Sequence, residues 1–332
     1  MAIRKNILTS TTARNKYIQG VKLLKNEFPG PTTSDLGIDG PSRPVSTYDL
    51  FVVWHHVAMT TFTPPTQGDR NAAHRGPVFL PWHRFMLLQL EMNLQRVLGN
   101  DLTFGLPYWD WAQDGELSSA RQRTAAIWAS NCMGGSGVPV TTGPFVFAAA
   151  DPNSWRVRIT ASGITGQLVQ VNRGLRRQLG ASVQGLPGTN RLPRKAHTAT
   201  ALNQPVYDAA PWNTSSAGFR NLVEGWQNRP QIPSPSLHNR VHVFVGGDMS
   251  PSTSPNDPVF YLNHCNEDRI WERWMQPQPG GHGRVYVPAQ SEPASLKGHR
   301  LNDTLNSLLS GSTTPAEMLD VSELYTYDSL SV

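Results

Sequence analysis

Apolar residues recur at helical spacing in several stretches of the chain. From position 83 to 97 the order His83, Leu87, Leu90, Leu94 and Val97 predicts a helix over 83–98 with one buried face. Similar signals predict helices over 12–28 and 47–62. A further helix is expected over 258–275, because Asp257 is a good N-cap and Pro258 suits the first helical position.

The helical pattern weakens between 112 and 212, where Gly, Pro and Thr are scattered among short β-rich pieces such as SWRVRITAS. This composition predicts long loops with minor strands packed on the helices. The segment 29–46 is polar and rich in Pro and Gly. It is expected either to be a plain surface loop or to shape a pocket rim or an oligomer contact.

Length and composition favour one domain. With 332 residues and 38% hydrophobic content, the chain can bury one large core, so we expect a single domain over 1–332. No apolar run reaches the length of about 18 residues that a spanning helix needs. The first residues lack the apolar stretch of a signal peptide, so cytoplasmic residence is expected. Cys132 and Cys265 could form one bridge, but reduced thiols are favoured.

The formal net charge of +5 comes largely from arginine. A basic cluster consists of Arg173, Arg176, Arg177, Arg191, Arg194 and Lys195. One interpretation of this cluster is a nucleic-acid surface, and the other is a solvated basic loop. The second is favoured, because the cluster has no interleaved aromatic residues and no nucleic-acid motif.

Histidines supply the candidate chemistry. In SLHNRVHVF, His238 and His242 are four residues apart, so both imidazoles lie on one face of a helix. With His264 on the next predicted helix, they outline a three-imidazole metal site. Zinc proteases share the H-x-x-x-H spacing, but they need a Glu where this chain has Asn239. Imidazole ligands alone suit copper, zinc, iron and nickel.

A second set of three histidines lies upstream, with His55 in VVWHHVAM, His74 in NAAHRGP and His83 in FLPWHR. His56 lies about 100° around the helix from His55, so only one of these neighbours can face a metal. The remaining histidines are interpreted as structural residues with hydrogen-bonded rings. They are His56, His197, His282 and His299.

Five motifs occur in a fixed order: FLPWHR, LPYWDW, FRNLVEGW, LHNRVHVFVGG and NDPVFYLNH. With them the chain resembles the tyrosinase family of type 3 dicopper proteins, and in particular the short bacterial tyrosinases and o-aminophenol oxidases. The resemblance implies a mainly α fold, in which a four-helix bundle core holds a dicopper site among long loops and minor β-strands. It also implies that Arg4 closes against Tyr325-Thr326-Tyr327, in a catalytic domain without a C-terminal shielding domain.

The resemblance assigns the site residues. It implies one copper ion on His55, His74 and His83 and a second on His238, His242 and His264, with O2 as co-substrate. The implied activity is ortho-hydroxylation of monophenols and oxidation of o-diphenols to o-quinones. In family members active on monophenols, a Glu and an Asn hold a water that takes the phenol proton, which carries over onto Glu224 and Asn239. Some bacterial relatives leave the cell with a helper protein that delivers copper, so that route is the alternative to cytoplasmic residence.

Several positions near the metals depart from the commonest family pattern or bear on specificity. Asn263 stands where many relatives have a second His, and Cys265 is a potentially oxidisable thiol beside the ligand His264. In some relatives a Cys two residues before a copper ligand is joined to that ligand by a thioether. Position 72 is Ala, so this crosslink to His74 is absent. Val243 and the loop 252–254 are expected to line the substrate entrance, with Thr253 leaving an open pocket.

Other functions compete with a tyrosinase. An o-aminophenol oxidase, or a catechol oxidase without hydroxylation, would share the six ligands. A hemocyanin-like O2 carrier would also use them, but it covers the site with another domain. Structural zinc is disfavoured, because structural sites are usually closed by four ligands. We expect a small phenolic substrate and neither a nucleic-acid nor a membrane partner, and the sequence leaves the oligomeric state open.

Overall fold

A computed structural model describes residues 1–186, 188–226, 235–277, 281–309 and 311–332. In this part of the chain the helices are α1 (Thr11–Lys25), α2 (Thr47–Thr60), α3 (Phe79–Val97), α4 (Trp111–Gly115), α5 (Ser119–Gln122), α6 (Lys195–Leu202), α7 (Phe219–Glu224), α8 (Leu237–Val245) and α9 (Val259–Met275). The strands are β1 (Ala2–Arg4), β2 (Val157–Ala161), β3 (Leu168–Arg173) and β4 (Tyr325–Tyr327). The mainly α fold is confirmed.

The predicted helices all exist, with shifted ends. Helix α1 ends at Lys25 and α2 at Thr60, earlier than predicted, whereas α3 begins at Phe79, one turn before His83. Pro81 is accommodated in that first turn, where a missing N–H costs little. Asp257 does not occupy the N-cap position, which is Pro258, but its Oδ1 accepts the backbone N–H of Val259 at 3.0 Å and so satisfies a free donor of the first turn.

Helix α3 packs against α9 and α9 against α8, while α1 packs against both α2 and α3. Their inward faces belong to one hydrophobic cluster of buried side chains that extends over most of the chain. Trp54 of α2 and Trp82 of α3 meet edge to face, with ring centroids 5.3 Å apart. Both indole N–H groups donate to the carbonyl of Asn306, which ties the two helices together.

The two ends of the chain meet as the resemblance implied. Strands β1 and β4 pair in parallel, with Arg4 opposite Tyr327. The guanidinium of Arg4 lies over the ring of Tyr325, 3.4 Å from its centroid, and contacts Glu91 at 2.9 Å and Asp268 at 3.0 Å. This contact joins the terminal strands to α3 and α9.

Asp268 on α9 is the anion at the centre of this contact. Its carboxylate accepts hydrogen bonds from Nε of Arg84 at 2.5 Å, from Nη1 of Arg4 and from the hydroxyls of Tyr325 and Tyr327. Burial alone would raise the pKa of Asp268, but the charges of Arg84 and Arg4 outweigh it and lower that pKa. The carboxylate is therefore ionised and fully partnered inside the protein.

The segment 29–46 lies against α2 and the β2–β3 hairpin. Ile38 and Val45 are buried there with Val53 and Ile159. Arg43 and Arg158 line a cavity of about 280 Å³ in the same region, away from the histidines. The segment thus packs on the bundle and shapes a separate pocket, and it contributes none of the described residues that line the cavity beside the histidines.

The basic cluster is divided between ion-paired structural residues and exposed surface residues. Arg173 pairs with Asp248 at 2.7 Å, and Arg177 is completely buried on Asp257 at 2.6 Å. Arg194 contacts Glu116 at 2.6 Å on the surface. The favoured interpretation, a solvated basic loop, was wrong for Arg173 and Arg177, because acidic partners distant in sequence neutralise them; it holds for Arg194, whose side chain is 54% exposed.

No helix among the described residues is long and apolar enough to cross a bilayer. Both cysteines are buried and unpaired, in agreement with the reduced state that their number favoured.

Replacing Asp268 by Asn should strongly destabilise the fold, because two buried guanidinium groups would lose their counter-charge. We expect the free energy of unfolding in urea to fall by about 3–5 kcal/mol. Asp320, whose side chain is 63% exposed beside Arg284, provides the control. Its replacement by Asn should change that free energy by less than about 0.5 kcal/mol. Equal small effects at both positions would contradict a structural role for Asp268.

Candidate metal centre

The structure brings the six predicted histidines into two groups of three. One group consists of His55, His74 and His83, and the other of His238, His242 and His264, and in each group the candidate ligand atoms lie within 4.8 Å of one another. Four helices and one loop supply them: α2, α3, α8 and α9 carry five histidines, and His74 lies in the loop before α3.

Backbone carbonyls orient several of the rings. Nδ1 of His55 lies 2.6 Å from the carbonyl of Ser252, Nδ1 of His83 lies 2.7 Å from that of Phe79, and Nδ1 of His242 lies 2.6 Å from that of Met249. Because a carbonyl only accepts, Nδ1 must carry the proton in each case. Nε2 of each ring then presents a lone pair, and it has no hydrogen-bond partner among the described residues.

The turn after α8 creates one of these anchors. Gly246 has φ +62°, a left-handed conformation that glycine adopts without strain, and its N–H caps the carbonyl of His242. The chain thereby reverses and returns the carbonyl of Met249 to the ring of His242.

The other three rings are held by different means. Nδ1 of His238 lies 2.9 Å from Oδ1 of Asn239, and its Nε2 has no partner in the described structure. The loop around His74 is fixed by Oδ1 of Asn71, which accepts the backbone N–H of His74 at 2.7 Å. Nδ1 of His264 lies 3.0 Å from the carboxylate of Glu267, at an angle that does not make a hydrogen bond.

The two groups face each other. The rings of His83 and His264 are stacked with centroids 4.1 Å apart, and those of His74 and His238 are 5.9 Å apart. Phe79 and Phe260 pack against rings of both groups and separate them from solvent. The centre is therefore one compact pair of three-imidazole groups.

Burial keeps these imidazoles neutral. It lowers the pKa of His55 to about 3 and that of His242 to about 4, although carbonyl hydrogen bonds act in the opposite direction. Burial and the neighbouring imidazoles also lower the pKa of His74, His238 and His264 well below the usual value. Neutral imidazoles with free lone pairs are the form that binds a metal ion, so each group can hold one.

The remaining histidines do not join either group. Nδ1 of His56 contacts Oγ of Ser252 at 2.8 Å, and Nε2 of His299 contacts Oγ1 of Thr63 at 2.7 Å. His197 accepts the backbone N–H of Arg194, and Nε2 of His282 lies 3.0 Å from the carbonyl of Leu202. Each has a structural partner, as expected.

A cavity of about 420 Å³ opens beside the two groups. Its described lining residues are His55, Met59, His74, Arg75, Val183, Leu186, Trp226, Pro235, His238, Asn239, His242, Val243, Ser250, Pro251 and Ser254. Val243 and Asn239 therefore lie at the wall of a pocket large enough for a phenol ring.

Thr253 is not among those lining residues. Its side chain is buried, and Oγ1 lies 3.3 Å from both Oγ1 of Thr160 and the backbone N–H of Ala161 on β2. Ser254 and Pro251 line the cavity instead. The prediction that Thr253 forms the gate was therefore wrong, because its hydroxyl contacts β2 and its side chain does not line the cavity.

Glu224 lies behind the cavity wall. Its Oε1 accepts the backbone N–H of Arg75 at 2.6 Å, and its Oε2 contacts Nη1 of Arg220 at 2.9 Å. Burial raises its pKa, which Arg220 partly opposes. The carboxylate therefore contacts Arg75, which lines the cavity, but does not line the cavity itself. Asn239 lines the cavity directly.

The sequence reasoning missed Arg75 and Glu267. Arg75 follows His74 in the motif HRGP, a position that could have been noticed because it borders a candidate ligand. Glu267 is fully buried, and burial raises its pKa well above the usual value. Its i, i+3 spacing from His264 was visible, but its burial was not.

Cys265 is less reactive than its position suggested. The thiol is completely buried, its Sγ donates to the carbonyl of Leu106 at 3.3 Å, and burial raises its pKa to about 12. Since the thiolate is the reactive form, this cysteine is a core residue at neutral pH.

The fold and the site define a helical protein with two adjacent three-histidine groups that can bind metal. Residues 45–277 match the family model described as the common central domain of tyrosinase. The chain is 35% identical to a tyrosinase from Streptomyces glaucescens, over 99% of both chains. It is 34% identical to grixazone synthase from Streptomyces griseus, over 98% of this chain and 99% of that one. The chain belongs to the tyrosinase family.

Solved structures agree at the level of the fold. A polyphenol oxidase variant from Thermothelomyces thermophila superposes with a TM-score of 0.69 at 23% identity, covering 98% of this chain and 88% of that one. A functional unit of octopus hemocyanin gives a TM-score of 0.55 at 18% identity, covering 100% of this chain and 69% of that one.

The metal-free protein should lose stability on acidification. Below pH 6.5 the histidines of the unfolded chain take up protons, whereas His55 and His242, with pKa values of about 3 and about 4, do not. The unfolded state then binds more protons, so the free energy of unfolding should fall by about 1.4 kcal/mol per pH unit for each imidazole that stays neutral. Urea denaturation at pH 7.5, 6 and 5 measures this, and a constant free energy would contradict the neutral, buried site.

Proposed function

We propose that this protein is a copper-dependent phenol oxidase. It uses O2 to hydroxylate monophenols at the ortho position and to oxidise o-diphenols to o-quinones. One observation carries the proposal: two facing groups of neutral imidazoles border a cavity that admits a phenol ring, and backbone carbonyls orient three of the six rings through Nδ1. Membership of the tyrosinase family supports the same reaction.

The donor sets fit two copper ions. His55, His74 and His83 would hold one, and His238, His242 and His264 the other. An all-imidazole set suits copper, and three ligands on each ion leave positions for exogenous groups. When bound, the copper pair supplies two-electron chemistry with O2 as the co-substrate.

The chain itself positions the phenol and limits access of water. Val183, Leu186 and Val243 form apolar walls, against which the ring can pack with its hydroxyl toward the histidines. Phe79 and Phe260 exclude solvent behind the imidazoles. Val243, as part of this wall, is a proposed substrate-binding residue, and Thr253 supports the neighbouring loop through β2.

Glu224 is proposed to take the phenol proton through a water that Asn239 helps to hold. Asn239 reaches the cavity and Glu224 lies behind it, so a water held between them would pass the proton from the phenol oxygen to a carboxylate oxygen of Glu224. The raised pKa of Glu224, caused by burial, makes it a stronger base than an exposed carboxylate. Arg220 keeps the carboxylate in place.

An oxidase is favoured over an O2 carrier, because a cavity of about 420 Å³ opens onto the histidines. The hydrophobic cluster shared by most helices supports a single catalytic domain over 1–332. An o-aminophenol oxidase or a catechol oxidase is the alternative, because either would use the same six candidate ligands. Delivery of copper by a helper protein, and residence in the cytoplasm or export with that helper, stay predictions.

Oxygen uptake by the copper-loaded protein tests the proposal. We expect uptake with a monophenol, a catechol and an o-aminophenol in turn, and none with zinc-loaded protein. His242→Ala should lower the rate by about 100-fold or more, because one three-imidazole group loses a ligand. His197→Ala is the matched control, since His197 contacts the backbone N–H of Arg194 and belongs to neither group. The proposal fails if copper-loaded protein consumes no oxygen with any of these phenols.

Replacing Glu224 by Gln should separate the two activities. The amide keeps an acceptor for the N–H of Arg75 but cannot take a proton at neutral pH. Monophenol hydroxylation should therefore fall about 100-fold, while o-diphenol oxidation changes several-fold at most. Asp208→Asn is the control, because Asp208 also pairs with Arg220 but is not proposed to act on the substrate. Equal losses on both substrates would remove the proton-transfer role.

A further inference from the structure

Arg75 is the charged side chain of the cavity beside the histidines. The other described lining residues offer imidazole, amide, hydroxyl and apolar groups, and none of them is a carboxylate. Arg75 is exposed and directly follows His74 in the chain. We propose that Arg75 binds a carboxylate of the substrate, so that the enzyme prefers phenols bearing an acidic substituent. This inference rests on the proposed phenol oxidase function and names its substrate class.

The backbone of Arg75 is fixed in an uncommon conformation. Its φ of +63° lies in the left-handed region, which non-glycine residues seldom occupy. The N–H of Arg75 donates to Oε1 of Glu224 at 2.6 Å, and Glu224 is itself held by Arg220. This backbone conformation fixes where the side chain of Arg75 leaves the chain, at the wall of the cavity.

The guanidinium of Arg75 is available to a ligand. It lies 5.7 Å from the ring centroid of Trp226, which also lines the cavity. In the described part of the chain, no carboxylate forms an ion pair with it, unlike Arg173, Arg177 and Arg220. Arg75 can therefore meet an incoming anion without breaking an internal ion pair.

Arginine recognises a carboxylate through two parallel charge-assisted hydrogen bonds. A phenol whose hydroxyl points toward the histidines would direct a substituent on the opposite side of the ring toward the cavity opening. A carboxylate on a short spacer could then reach Arg75, whereas a neutral substituent would gain no ionic contact. The same contact would also fix the depth and rotation of the ring.

Two substrates that differ only in charge test this inference. They are 3-(3,4-dihydroxyphenyl)propionate and its amide, which share the ring and the spacer. In the wild type we expect kcat/KM for the acid to exceed that for the amide by about tenfold, mainly through KM. Arg75→Gln should bring this ratio close to one, and Arg75→Lys should retain part of it. Added salt should lower the ratio in the wild type but not in Arg75→Gln.

Arg43→Gln is the matched control, because it removes the same charge at a different cavity and should leave the ratio unchanged. Calorimetric titration of both compounds into zinc-loaded protein measures the charge preference without oxidation. If calorimetry shows that Arg75→Gln loses the preference for the acid, but copper-loaded protein consumes no oxygen, the role of Arg75 is supported and the proposed oxidase function is rejected. Equal use of acid and amide by an active wild type, or equal loss of both in Arg75→Gln, would overturn the role of Arg75.

Discussion

The site depends on several imidazoles that are neutral and lie close together. Each of them keeps at least one ring nitrogen without a hydrogen-bond partner in the described part of the protein. Such groups are costly to bury, because each unpaired nitrogen loses its hydrogen bond to water. The protein offsets part of that cost by giving Nδ1 of His55, His83 and His242 a backbone carbonyl. These carbonyls fix the tautomer and the ring direction together, so the free lone pairs converge before any metal binds.

The rest of the fold holds in place the helices and loops that position these rings. Helices α3 and α9, which carry His83 and His264, are joined through Arg84 and Asp268, and Arg4 adds the terminal strands to the same contact. At the other side of the centre, the loop 250–256 supplies the carbonyl for His55 and rests on β2 through Thr253 and Asn256. Polar contacts distant in sequence therefore determine the geometry that the local helical signals alone leave open.

Much of this arrangement could be predicted from the sequence, because it follows from the spacing of residues that are close together in the chain. The i, i+4 pair His238 and His242, the helix carrying His264 and the periodic face after His83 predicted the helices that carry these histidines. Properties that depend on distant partners could not be read in this way. The ion pairs of Arg173 and Arg177, the inward turn of Thr253 and the burial of Glu267 all depend on residues brought near by the fold. Arg75 was overlooked because its importance comes from the cavity around it.

The central claim is that two facing three-imidazole groups each bind one copper ion. Copper bound per chain, measured by atomic spectroscopy on metal-free protein that has been reloaded and freed of excess metal, tests it most directly. The account predicts two ions per chain in the wild type, and one in His264→Ala, where the group of His55, His74 and His83 is intact. One ion per chain in the wild type, or two in His264→Ala, would contradict it.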